Sequence, residues 1–307
     1  GVISGGTSAL IESPSFGLTL DDLKQTTQLL MECGATINEI NCVRKHLSEI
    51  KGGRLAQVIS PASSLNFIIS DVVGDDLSVI GSGPTVPDHS TFADAWKLIE
   101  KYQIDDKLPT NVVKHIKEAI DETPKTLTQT KNILVGTNRQ ALIAAKNQAR
   151  ELGYETIIVS DQIQGEASLV ASRLFDLARS PEIEKLNKPL CLLAGGETTV
   201  TIRGTGKGGR NQEMALAYLC RLQEEKIRAH KQVFLSASTD GIDGPTDSAG
   251  ALASLKILER AHSLKLNPED FLAQNDSYHF FEAVDAHIKT GTTETNVCDL
   301  QVLLIDR

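Results

Sequence analysis

The sequence predicts an α/β protein of two α/β domains, with largely parallel sheets covered by helices. Three observations carry this. Short apolar runs alternate with segments of helical periodicity through the second half of the chain. Glycines follow directly on the apolar runs, as they do at strand ends in open α/β sheets. A polar, proline-broken stretch from Glu122 to Thr130 divides the pattern, which gives a first domain over 1–125 and a second over 130–307.

The chain opens on Gly1-Val2-Ile3-Ser4-Gly5-Gly6. This reads as the end of a strand entering a glycine turn, so further residues are expected upstream. Thr19-Leu20-Asp21-Asp22 is a loose capping box, and Gly34 closes the helix that it opens. Ile37, Ile40, Val43, Leu47 and Ile50 recur at helical spacing, with Gly52-Gly53 as the stop. Leu65–Ile69 reads as a buried parallel strand, and Thr91–Tyr102 and Val112–Ile120 as helices. Beyond the break, strands are expected at Ile133–Val135, Thr156–Val159, Leu190–Ala194, Val200–Ile202, Val233–Ser236 and Leu300–Ile305. Helices are expected at Arg139–Glu151, Ala167–Ala178 and Asn211–Gln223.

Composition narrows the function classes. The chain has 307 residues, 4% of them aromatic, so aliphatic residues must build the core. The formal net charge of −9 argues against a nucleic-acid footprint. No apolar run approaches the roughly 20 residues of a membrane span. The cysteines (Cys33, Cys42, Cys191, Cys220, Cys298) are scattered, form no C-x-x-C pair, and read as reduced, mostly buried thiols of a cytoplasmic protein.

The chemistry-bearing residues gather in the glycine loops. Gly204-Thr205-Gly206-Lys207-Gly208-Gly209-Arg210 matches G-x-G-x-x-G, so a dinucleotide site is a rival reading. That rival needs an acid about 20 residues on, at the next strand end. Asp240 lies well beyond that distance. The same loop, rich in N–H groups and flanked by Lys207 and Arg210, suits phosphate oxygens. Ser70–Asp76 and Thr239–Asp247 are carboxylate-rich segments at predicted strand ends. Such carboxylates hold Mg²⁺ through its waters, orient a hydroxyl, or simply cap turns. Lys51 and Arg54, beside two glycines, are candidates for holding a substrate carboxylate. Walker A, protein-kinase and zinc patterns do not occur.

At these residues the chain resembles the glycerate 2-kinase family, whose C-terminal part is called MOFRL. The matching stretches run in order. They are Ile3–Leu10, Val43–Ser48 with Ile50–Ala56, Ser70–Asp76 with Gly81–Thr85, Gly195–Val200, Gly208–Glu213, Thr239–Asp247, and Asn275-Asp276-Ser277. The resemblance implies ATP- and Mg²⁺-dependent phosphorylation of D-glycerate, usually to 2-phosphoglycerate, at a site in the cleft between two α/β domains. Some relatives carry an older label as hydroxypyruvate reductases. The chain departs from the family's pattern at Thr7, at Thr292 and at Glu294, and the family's N-terminal lysine segment has no counterpart in it.

On this reading Arg210 stabilises the transferring phosphoryl group and Asp75 orients the glycerate hydroxyl, with Asp71 on the metal. Ser8, Arg44, Lys51 and Arg54 hold the substrate. Gly195, Gly196, Glu197, Asn211 and Asp240 frame the nucleotide. Expected partners are D-glycerate and ATP, with no nucleic acid and no membrane, and a homodimer is the expected assembly. The alternatives are an NAD(P)H-dependent hydroxypyruvate reductase and an inactive fragment that only binds nucleotide.

Overall fold

The computed structural model describes residues 1–186, 188–224 and 231–306. The chain divides into two compact units, Gly1–Val135 and Gly136–Arg307.

In the first unit, strand β1 (Val2–Ile3) turns through Gly6, at φ 79°, into the short helix α1 (Thr7–Leu10). Helix α2 (Leu20–Glu32) starts on the capping box that the sequence announces: Asp22 N donates to Thr19 Oγ1 and Thr19 N to Asp22 Oδ2. Helix α3 (Ile37–His46) stops short of Ile50, where the periodicity pointed. The reason is Ser48, whose hydroxyl accepts from the amides of Ile50 and Lys51 and bends the chain. Helix α4 (Arg54–Ile59) leads to β2 (Ser64–Ile69), and α5 (Phe92–Tyr102) and α6 (Thr110–Glu118) lead to β3 (Thr130–Gly136). The three strands form one sheet in the order β1-β2-β3, with β1 and β2 parallel.

The helices pack on one another through Leu30, Val43, Leu47, Phe92, Ile99, Val112 and Ile116, while Ile3, Ile68 and Ile80 form a smaller core at the sheet. The polar stretch around Glu122 is anchored rather than loose. His46 Nε2 lies 2.9 Å from Glu122 Oε1, and Thr123 Oγ1 donates to the buried Asp88, which also pairs with Lys45.

The second unit alternates as the sequence suggests: α7 (Asn138–Glu151), β4 (Glu155–Ile163), α8 (Ala167–Ala178), α9 (Pro181–Glu184), β5 (Leu190–Gly196), α10 (Arg210–Glu224) and β6 (Lys231–Ser238). Then follow β7 (Gly250–Ser254), α11 (Leu255–Ser263), α12 (Pro268–Ala273), α13 (Ser277–Val284), β8 (His287–Ile288) and β9 (Asp299–Asp306). The sheet order is β4-β5-β9-β6-β7-β8. Pairing of β4 with β5 is parallel, as expected of this α/β class. The remaining pairings are antiparallel, because the last strand, β9, inserts between β5 and β6 and β7 returns as a hairpin partner of β6. Alternation along the chain carries no signal of such an insertion.

Val200–Ile202 is not a strand; only Thr199 makes an isolated bridge, to Glu166. Helix α10 is buried nearly all round and shares one core with Phe175, Phe234, Phe280 and Leu303. Four cysteines are buried and Cys33 is exposed. Among the described residues no helix is long and apolar enough to cross a membrane.

Candidate active site

The first unit assembles its candidate residues around α1. Arg44 Nη2 donates to the Ser8 carbonyl at 2.6 Å, and Ser8 Oγ lies 2.8 Å from Ser82 Oγ, which donates to Asn41. Ser8 and Arg44 line a cavity of about 920 Å³ together with Glu12 and residues of α2. Burial pulls the Arg44 guanidinium below its ordinary value, with Glu12 opposing.

Lys51 and Arg54 do not join them as free substrate ligands. Lys51 is 1% exposed, with Nζ 2.8 Å from Glu12 Oε2 and donating to the Ile11 carbonyl. Its burial pulls the ammonium down, and Glu12 offsets this. Arg54 Nη1 lies 2.5 Å from Asp121 Oδ2, and Nη2 donates to the Asp121 carbonyl. Each lines a different cavity, Lys51 one of about 330 Å³ and Arg54 one of about 490 Å³. Each cation thus has a carboxylate close by, as a buried charge requires. The neighbouring glycines serve packing: a β-carbon on Gly53 would lie 2.7 Å from the Val86 carbonyl oxygen.

Asp71 and Asp75 follow β2. A β-carbon on Gly5 would lie 2.7 Å from Asp71 Oδ2, so the turn after β1 and the end of β2 meet at this carboxylate. Asp71 and Asp75 are half-buried, and Asp75 sits at φ 58°. Among the described residues neither carboxylate accepts a hydrogen bond, whereas Asp76 accepts from Ser78 N. Among those residues, too, no group of three or more His, Cys, Asp or Glu is placed to hold a metal.

In the second unit the first part of the glycine loop before α10 is committed to the protein. Arg203 N and Gly204 N donate to Asn275 Oδ1, Gly206 N to the Gln274 carbonyl, and Lys207 N to Asp276 Oδ1. A β-carbon on Gly204 or Gly206 would collide with the backbone of Gln274 and Asp276. These glycines exist for close packing against residues 274–276. The dinucleotide fingerprint loses its geometric basis here, because no strand runs directly into the loop.

Behind Arg210 the first turn of α10 is capped from within the unit. Asn211 N and Gln212 N donate to Asp243, whose carboxylate also takes both side-chain amides. Burial pushes the Asp243 carboxyl up, and these donors oppose it. Asn211 is 1% exposed and accepts from Ser236 through Oδ1, so its side-chain amide is engaged within the unit.

Gly195 and Gly196 answer to packing as well. A β-carbon at Gly195 would lie 2.0 Å from Asn138 Oδ1, and one at Gly196 would lie 2.2 Å from the Ile163 carbonyl oxygen. Asp240 is half-buried and closes a turn, accepting from Ser238 Oγ and Ile242 N. The loop carrying Glu294 packs there, with Thr293 N donating to the Asp240 carbonyl.

Arg210 behaves differently. Its Nε donates to Asp299 Oδ2 at 2.6 Å, Nη2 to Asp299 Oδ1 at 3.0 Å and Nη1 to Glu197 Oε1 at 2.7 Å. Burial pulls the guanidinium down, but these carboxylates reverse that and hold it above its ordinary value. Its side chain is still 31% exposed. Among the described residues three of the five guanidinium N–H groups are thus committed, and two remain.

Within each unit, the residues that hold these side chains in place carry no motif of their own in the sequence. Glu12 and Asp299 are lone acids beside apolar runs. The stretch Asn275-Asp276-Ser277 stands out in the sequence only as a matching motif, and the Asn275 and Asp276 side chains clamp the glycine loop.

Comparison with known proteins places these features in a family. Residues 1–117 match the family described as Domain of unknown function (DUF4147), and residues 190–299 match the MOFRL family. A D-glycerate 2-kinase of Thermotoga maritima is 39% identical over 99% of this chain and 71% of its own length. A glycerate kinase of Macaca fascicularis is 37% identical over 99% of this chain and 88% of its own. The crystal structure of glycerate kinase from Thermotoga maritima superimposes with a TM-score of 0.91, covering 99% of this chain and 72% of that one.

Proposed function

The chain belongs to the glycerate kinase family, and we propose from that premise that it transfers the γ-phosphoryl group of ATP to D-glycerate, giving 2-phosphoglycerate. The observation that carries this reading is Arg210: a guanidinium fixed by two carboxylates, partly exposed, with two N–H groups to spare. Phosphoryl transfer asks the protein chiefly for positioning and for donors aimed at developing charge. A planar fork serves that purpose better than a mobile ammonium.

On the first unit, the arrangement supports Arg44 with Ser8, rather than Lys51 and Arg54, as the pair that receives the glycerate carboxylate. Asp75, whose carboxylate accepts no hydrogen bond among the described residues, is the group to take the hydroxyl proton. Asp71 suits Mg²⁺, which binds through one or two carboxylates plus waters and phosphate oxygens rather than an all-protein cage. When bound, the ion would neutralise charge on the phosphates. The chain's own contribution is to orient the acceptor hydroxyl and present Arg210.

The test is ADP formation by the purified protein with ATP, Mg²⁺ and D-glycerate, each omitted in turn. ADP should appear only when all are present. Turnover of NADH or NADPH with hydroxypyruvate, and no D-glycerate-dependent ADP, would replace this reading with the reductase.

A further inference from the structure

Asp299 is the first residue of β9, in a central position of the six-stranded sheet, and it is 0% exposed. It pairs with Gly196 on one side and Ser238 on the other, and Asn138 Nδ2 donates to its carbonyl at 2.9 Å. Its backbone is therefore fixed on three sides. Its carboxylate is committed to one partner: among the described residues, Arg210 alone donates to it, through both Nε and Nη2. Side-on pairing of this kind fixes the plane of a guanidinium as well as its place. Glu197, itself 44% exposed, takes one N–H of Nη1 and closes the remaining rotation.

We propose, building on the kinase reading above, that Asp299 is a positioning residue for phosphoryl transfer, holding the Arg210 plane so that its two uncommitted N–H groups face the transferring phosphoryl oxygens. Two carboxylates on one guanidinium more than offset its positive charge, so the trio supplies no net attraction for an anion. What the trio offers a phosphate is directed hydrogen bonding at a fixed angle. The value of Arg210 then depends on the clamp, and a lysine at 210 would supply charge without the fork.

The alternative is an ordinary ion pair that only stabilises the start of α10. A cycle of Arg210→Ala, Asp299→Asn and the double variant in the full chain separates the two, with kcat, both KM values and Tm measured for each. Asp299→Asn should lower kcat roughly 10- to 100-fold, the scale of a misplaced catalytic group, and leave both KM values nearly unchanged. The double variant should be no slower than Arg210→Ala. Added guanidinium should partly restore Arg210→Ala but not the double variant, which lacks the carboxylate that docks the ion. Losses that multiply, or equal rescue of both, would overturn the proposal.

If Asp299→Asn does not fold, the wild-type protein decides through the ¹⁵N resonance of Arg210 Nε. Slow proton exchange, unchanged on adding a non-hydrolysable ATP analogue, supports the clamp; fast exchange overturns it. A wild-type protein without D-glycerate-dependent ADP formation would overturn the kinase reading and this inference together. An active enzyme with an additive cycle would overturn this inference alone.

Discussion

Lys51 Nζ lies 2.8 Å from Glu12 Oε2 in a pocket closed by Ser48, whose hydroxyl donates to Glu12 Oε1. The pair ties α1 to the turn before α4. Removing the acid leaves an ammonium that is 1% exposed and, among the described residues, has only the Ile11 carbonyl to accept from it. Glu12→Ala should therefore destabilise the protein by about 3 kcal/mol, in the range for a buried pair deprived of one member. Lys51→Met should be milder, because the apolar stem is kept, and should leave the KM for D-glycerate unchanged. Urea unfolding and steady-state kinetics on both variants check this. A raised KM with unchanged stability in Lys51→Met would return Lys51 to the substrate.

Gly195→Ala should destabilise rather than impair nucleotide binding selectively. Its β-carbon would displace Asn138, whose Nδ2 donates to the Val297 and Asp299 carbonyls in the buried centre of the unit. Leaving such a group unsatisfied costs about 1–3 kcal/mol. A second substitution, Asn138→Ala, should make the Gly195→Ala penalty smaller than it is alone. Thermal melts of the three variants decide this. An unchanged Tm with weakened ATP binding would show that Gly195 faces a ligand after all.

These two cases show where sequence reading reached and where it stopped. Local signals were sound. The Thr19–Asp22 capping box is present, and helices at Arg139–Glu151 and Ala167–Ala178 fall within a residue of expectation. Such features depend on neighbours in the chain. The contacts of Gly195, Gly204, Lys51 and Asn211 carry no local signal because each is made with a distant partner: Asn138, Gln274, Glu12 and Asp243. A glycine required by a ligand and one required by a packed backbone look alike in sequence. Insertion of β9 between β5 and β6 was hidden for the same reason. The motif set, read in order, did reveal the family, because its members need not be understood singly to be recognised together.

Glu122 predicts a pH dependence. Burial raises its carboxyl, but the Phe92 and Thr123 amides, with His46 and Lys125 nearby, bring it from the usual 4.5 to about 2. Because the folded value is depressed, the stabilisation is present above pH 4.5 and is lost as the pH falls towards 2. Wild-type and Glu122→Gln should therefore differ in Tm by a constant amount above pH 5, and the gap should close between pH 4.5 and 2. Melting curves across that window check it. A gap that stays constant to the acid end would mean the carboxylate gains nothing from these partners.

The central claim is that this chain phosphorylates D-glycerate at its 2-hydroxyl, and the most direct measurement is the identity of the product. Purified protein, ATP, Mg²⁺ and D-glycerate are incubated, and enolase alone is then added, with phosphoenolpyruvate followed by its ultraviolet absorbance. The account predicts immediate phosphoenolpyruvate formation without a mutase, at a rate that falls roughly 100-fold in Arg210→Ala. Product that reaches enolase only after phosphoglycerate mutase is supplied would place the phosphate on the 3-hydroxyl. No phosphorylated glycerate at all from the wild-type protein would contradict the account.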